Sequence, residues 1–157
     1  MILPTREVDF VAYDDRGQAV LLVEVKSSHG PETSGLWAAR FRRNMMAHGT
    51  LPAARFFMIA TPERMYFWRQ EGVSLTEEPP QFTIDAAKEL KPYFEKFGQT
   101  PEKTSGQALE LIVFSWLNDL ADSGQSRAEE DVSLKWLSES GLLGALERTR
   151  IEFGRVQ

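Results

Sequence analysis

Hydrophobic and polar residues alternate along Val8–Tyr13, with Val8, Phe10 and Ala12 on one side and Asp9, Val11 and Tyr13 on the other. A period of two belongs to a β-strand, whose successive side chains leave on opposite faces. Asp14-Asp15-Arg16-Gly17 then supplies a turn in which glycine accepts a positive φ. Ala19–Lys26 is apolar at almost every position, as in a strand covered on both faces, until Glu24 and Lys26 break the pattern near its end. Ser27-Ser28-His29-Gly30-Pro31 cannot continue a central strand and predicts a loop. Over Leu36–His48, Trp37, Phe41 and Met45 recur every four residues, a helical stripe that Ser34 is placed to cap and Gly49 to stop. Arg55–Thr61 and Arg64–Trp68 read as third and fourth strands on either side of Pro62. The order strand, strand, helix, strand, strand predicts an α/β fold whose helical crossover makes the second and third strands parallel.

Beyond Gly72 the period changes. Glu77-Glu78-Pro79-Pro80 reads as a loop, Ile84–Phe97 as a helix kinked or restarted at Pro92, and Gly98–Gly106 as a polar, mobile linker. Gln107–Leu120 has the strongest helical signal, with Leu109, Ile112, Val113, Trp116, Leu117 and Leu120 forming a broad apolar face. Asp122–Gln125 is expected to end it, and Ser133–Ser138 and Leu142–Arg148 follow as shorter helices. The expected organisation is an αβ core over residues 1–72 and a helical extension over 73–157 packed on the same domain. The fold class is therefore α/β (α+β), a mixed central sheet flanked by helices with a helical C-terminal half.

With 157 residues and 42% apolar content, the chain suits one domain with its own core. Cysteine is absent, which excludes disulfides and thiolate metal sites, and two histidines argue against a histidine-rich metal centre. No apolar run reaches the roughly 18–20 residues of a spanning helix and no secretory signal opens the chain, so a cytoplasmic location without membrane contact is expected. No small-molecule cofactor motif is evident, and no Walker Gly-Lys-Ser/Thr is present. The net charge of −5 is uneven: residues 1–72 hold nine Lys/Arg against eight Asp/Glu, and residues 73–157 nine against fifteen. Affinity for nucleic acid comes from neutralising phosphate, so any such surface is expected in the first half, where Arg40, Arg42 and Arg43 cluster.

Glu24 and Lys26 stand two apart on one strand and so share a face, and charges buried there need partners or a metal ion to offset lost hydration. Glu-x-Lys alone says little. Glu89-Leu90-Lys91 repeats it in a segment read as helical, with no strand aspartate facing it. The first copy differs because it ends a strand, follows a strand carrying Asp9 and precedes a helix. In that combination residues 4–70 resemble the core of the PD-(D/E)XK (restriction-endonuclease-like) nuclease superfamily. With the Tyr66-Phe67-Trp68 strand after Thr61, they look closest to the N-terminal nuclease domain of type I restriction motor subunits and its small stand-alone relatives.

The resemblance implies that Asp9, Glu24 and the Val25 carbonyl hold Mg²⁺ or Mn²⁺. A hard divalent cation relieves the repulsion between two carboxylates and prefers oxygen ligands. Lys26 would orient the attacking water or steady charge on phosphate oxygens. Arg40 and Arg43 would grip a phosphate backbone, and His29 would serve as an accessory group at the substrate. The superfamily usually places a helix, often with an acidic residue, and a first strand before the aspartate strand, whereas eight residues precede Asp9 here. Glu7 is a candidate extra ligand, and Gln107–Leu120 with Glu110 a candidate for the helix; the alternative is a truncated chain.

The implied function is metal-dependent hydrolysis of DNA phosphodiester bonds, with DNA as the partner and a homodimer as a further assembly to test. Two other classes remain beside it. One is a catalytically inactive nuclease-fold domain that binds nucleic acid or protein, with Asp9, Glu24 and Lys26 forming only a cross-strand ion pair. The other is a structural or oligomerising domain.

Overall fold

The computed structural model describes residues 8–27, 34–48, 51–70, 77–130 and 135–154, with the backbone alone at 48 and 123–130. Six strands form one sheet: β1 (Phe10–Tyr13), β2 (Ala19–Val25), β3 (Phe56–Ala60), β4 (Arg64–Arg69), β5 (Phe82–Asp85) and β6 (Arg150–Phe153), in the order β5-β4-β3-β2-β1-β6. The helices are α1 (Gly35–His48), α2 (Ala86–Glu89), α3 (Lys91–Lys96), α4 (Gly106–Glu130), α5 (Lys135–Glu139) and α6 (Leu142–Leu146). β2 and β3 are parallel, joined through α1, and every other pairing is antiparallel. The chain is thus an α/β-type mixed open sheet with a helical C-terminal region.

The first hairpin turns where its composition requires. Asp14 Oδ1 accepts from the N–H groups of Arg16 and Gln18, both at 2.9 Å, and Gly17 takes φ +78°. Strand alternation then divides the core into two layers. Val11, Leu22, Phe57, Ile59, Tyr66 and Trp68 meet Ala38, Trp37, Phe41 and Met45 of α1. Phe10, Leu21, Val23, Phe56, Met58 and Phe67 meet Leu109, Ile112 and Trp116 of α4 together with Trp136 and Leu142. Burying one such large apolar side chain stabilises the fold by about 1.5–3 kcal/mol, so the C-terminal helices contribute to the same core as the hairpin.

Several boundaries differ from the sequence reading, each for a local reason. Ile84 and Asp85 belong to β5, paired to Met65 and Arg64 of β4, and Asp85 then caps α2 by accepting from Lys88 N–H at 3.1 Å. Pro92 stands in the first turn of α3, where its missing N–H costs nothing. The stretch 98–105, read as a linker, contains hydrogen-bonded turns: Gln99 N–H donates to Phe94 O at 2.8 Å and Lys103 N–H to Thr100 O at 3.1 Å. Helix α4 continues through Asp122–Gln125 to Glu130. The single glycine there costs about 1 kcal/mol in a helix, less than the good helix formers around it sustain. Helix α6 stops at Leu146, short of Arg148, because Glu147 leaves helical geometry at ψ 132°, and Arg148 at φ +61° then turns the chain into β6, a strand the helical reading of this region did not include.

Gly154 shows how closely β6 joins β1. Its N–H donates to Asp9 O at 2.9 Å, and a Cβ there would lie 2.5 Å from Val8 O and 3.2 Å from Val8 Cγ2. Gly154→Ala is therefore expected to destabilise the protein by about 1–3 kcal/mol in urea unfolding. Gly144→Ala, with no atom within 4 Å of the added Cβ in α6, is expected to be neutral or to stabilise by up to about 1 kcal/mol.

Candidate functional site

Asp9 ends the ladder between β1 and β2. Its N–H donates to Val23 O at 3.0 Å, and its Oδ2 accepts from Val25 N–H at 2.7 Å, so the carboxylate takes the place of the next backbone acceptor. The residue is 6% exposed. Phe10 pairs with Val23, and Asp9, just before β1, keeps to the end of β2 through Val23 O and Val25 N–H. Glu24 shares the face of Leu22, toward α1, whereas the alternation breaks at Asp9. Val8 packs with Val11 on that face and Phe10 and Ala12 on the other, so Val8 does not share a side with Phe10 as the sequence pattern predicts. Val25 turns its N–H toward Asp9, and the carbonyl of a strand residue points the same way.

Glu24 is 2% exposed, and Lys26 Nζ lies 3.4 Å from its Oε2. The two side chains share a face, as their spacing requires. Lys26 is half-buried, its Nζ also 4.8 Å from the ring centroid of Phe41 on α1, so the ammonium lies between a carboxylate and an aromatic face. Its N–H donates to Ala60 O at 2.9 Å, which ties the residue to the end of β3. Glu24 pairs with Ile59, and Ile59 with Tyr66, so a row on this face runs from the carboxylate to a buried phenol. Burial pushes the Tyr66 hydroxyl above its ordinary pKa; Arg64 opposes the shift and Glu63 adds to it.

The arginines of α1 divide. Arg40 and Arg43 are exposed, and both pair with Glu77, at 3.4 and 3.0 Å. Arg42, grouped with them by sequence, belongs instead to the core at 1% exposure. Its Nη2 and Nε donate to Gln70 Oε1 at 2.5 and 3.0 Å, and its guanidinium carbon lies 5.6 Å from the Trp68 ring centroid. Gln70 in turn donates to Ala54 O at 2.9 Å. Burial lowers the Arg42 pKa from its ordinary value, with the charge of Glu78 acting against that shift. His29 and Glu7 lie outside the described residues.

Helix α4 begins at this same end of the sheet. Ser105 Oγ caps it by accepting from Ala108 N–H at 3.1 Å, and a Cβ on Gly106 would be 3.9 Å from Ser27 Oγ, next in sequence to Lys26. Two turns later Phe114 packs on Phe10 with centroids 5.5 Å apart. Half-buried Glu110 falls between these contacts, one turn before Phe114 on the same flank. The second Glu-x-Lys is different: Glu89 closes α2, Lys91 opens α3, and no strand carries either.

The site therefore gathers Asp9, Glu24, Val25 and Lys26 at the end of β2, with Phe41 added by the fold, while Glu110 is carried by α4, which packs on the opposite face of the sheet. Arg40 and Arg43 lie elsewhere on α1, engaged with Glu77. Among the described residues no group of three or more histidines and carboxylates is close enough to hold a metal ion by side chains alone. No family model, curated protein or solved structure matches this chain.

Asp9 has a structural duty separable from any chemical one. Asp9→Ala removes the acceptor of Val25 N–H and is expected to cost about 1–3 kcal/mol. Asp9→Asn keeps an oxygen there and is expected to cost less than about 1 kcal/mol. Urea unfolding reads the difference, and amide exchange at Val25 should quicken in the alanine variant alone.

Proposed function

We propose that this chain is a metal-dependent phosphodiesterase of the restriction-endonuclease-like type, acting on DNA. One observation carries the reading: two buried carboxylates stand at the end of β2, Asp9 bound to Val25 N–H and Glu24 with the Lys26 ammonium 3.4 Å away. Topology adds support. The superfamily usually carries a strand and a helix ahead of its aspartate strand. Here β6 lies antiparallel beside β1, and α4 starts beside Ser27, so the C-terminal part of the chain fills comparable places.

The donor set fits a hard cation: Asp9, Glu24 and the Val25 carbonyl offer only oxygen, the preference of Mg²⁺ or Mn²⁺. The chemistry such an ion would supply there is polarisation of a phosphate and a lowered pKa for a water beside it. The chain's own groups set the rest. Val25 N–H fixes the rotamer of Asp9, and β3 pairing fixes the strand end that bears Glu24. Lys26, aligned by Glu24 and by the Phe41 ring, presents a compact cation to a phosphate oxygen or to the attacking water. Arg40 and Arg43 reach a DNA backbone by exchanging Glu77 for phosphate, a small cost because surface ion pairs contribute about 0–1 kcal/mol.

The second reading, a catalytically silent domain that binds nucleic acid or a protein, is favoured by the same contacts seen differently. Val25 N–H and Lys26 partner the two carboxylates from within the fold. Cleavage of plasmid and of duplex, single-stranded and flapped oligonucleotides in Mg²⁺ or Mn²⁺ separates the two. Glu24→Gln, Lys26→Met and Asp9→Asn are each expected to reduce cleavage by about 100-fold or more, and Mn²⁺ should raise the melting temperature of the wild type but not of Glu24→Gln. Metal stabilisation without cleavage of any substrate moves the assignment to the silent domain. Cleavage unchanged in all three variants rejects this site.

A further inference from the structure

We infer that β6 is a docking edge for a second copy of this chain, joining two six-stranded sheets across a two-fold axis. The inference does not rest on the nuclease reading. β6 closes one side of the sheet, and among the described residues no strand pairs with its outer edge. Gly154 N–H donates to Asp9 O, and Phe10 pairs with Phe153. Backbone groups alternate along a strand, so Arg150, Glu152 and Gly154 turn theirs toward β1, while Ile151 and Phe153 turn theirs outward. An edge of this kind is a template for another strand.

Charge order selects the occupant. An antiparallel copy centred on Ile151 sets the two Ile151 residues opposite each other with their outward N–H and C=O groups paired. In that register Arg150 of each copy faces Glu152 of the other. The next register with the correct hydrogen-bond parity, centred on Glu152, sets Ile151 opposite Phe153 and the two Glu152 carboxylates opposite each other, and loses both charge pairs. Arg150 and Glu152 also pair with each other within the chain, so the assembly closes a four-charge network on one face. On the other face Phe153 is 54% exposed and Leu111 49%. Phe114 lies beside both, stacked on Phe153 with centroids 4.9 Å apart. This apolar strip runs along the same edge, where a partner copy covers it.

Sedimentation velocity of the full chain from about 1 to 200 µM tests the assignment over the affinity range of a modest interface. A reversible monomer–dimer equilibrium is expected. Glu152→Arg, which sets arginine against arginine across the axis, should weaken association by at least about tenfold. Arg150→Glu combined with Glu152→Arg restores complementarity and should return association to within about threefold of wild type. Melting curves at the lowest concentration show whether each variant is folded. If the single variant melts early, the charge swap decides alone. A wild type that stays monomeric, a folded Glu152→Arg that still dimerises, or a folded swap that does not, each overturns the inference.

Discussion

Parallel pairing of β2 with β3 is the constraint on which the rest of the molecule depends. Parallel neighbours need a crossover between them, and both of their faces must be covered. Leu21, Leu22, Val23, Phe56, Phe57, Met58 and Ile59 are all buried, so one layer of helix would leave half of them in water. The crossover α1 covers one face. The other is covered by α4, Trp136 and Leu142, from the opposite end of the sequence. The C-terminal helices are thus a condition for the central strands rather than an addition to them.

That double covering decides where charge can stand. Along β2, Leu22 packs in the layer of Ala38, and the next two side chains on that face are Glu24 and Lys26. They occur where the apolar layer runs out. Lys26 can lay its methylenes along the edge and keep its ammonium near water, while Glu24 relies on the partners that reach it. Asp9 solves a related problem in the adjoining strand. β1 has ended, Val25 still has an N–H to place, and a carboxylate supplies the acceptor. The site is where two strands finish out of step.

The hairpin, α1, β3 and β4 were legible because their apolar residues follow a period long enough to count. β5 and β6 were not. Phe82-Thr83-Ile84-Asp85 and Arg150–Phe153 are four residues each, lie at the two edges, and take their register from β4 and β1. Arg42 illustrates a signal that was present and outweighed. Ala38, Phe41, Arg42 and Met45 lie at i, i+3, i+4 and i+7, the inner stripe of a helix. The neighbouring arginines made position 42 look like solvated surface, yet its guanidinium is held by Gln70 beneath Trp68. At the site, sequence placed Asp9, Glu24 and Lys26 together. It had no means to place Phe41 over the ammonium, because that contact depends on how α1 crosses the sheet.

Stability alone is a poor account of the three charges. Replacing a buried ion pair by apolar groups of similar volume is often neutral or favourable. A half-buried pair such as Glu24–Lys26, open to water at the lysine, contributes little after screening. Val25 N–H needs one oxygen, which a neutral asparagine would also provide. Each residue taken singly has a cheaper substitute that leaves the fold in place. What the substitutes lack is the combination: two buried carboxylates at one strand end, the Val25 backbone between them, and an ammonium within 3.4 Å of one carboxylate. That combination has little to offer a hydrophobic core and much to offer a hard cation beside a phosphate, which is why the end of β2, rather than the arginines of α1, is the place to look for chemistry.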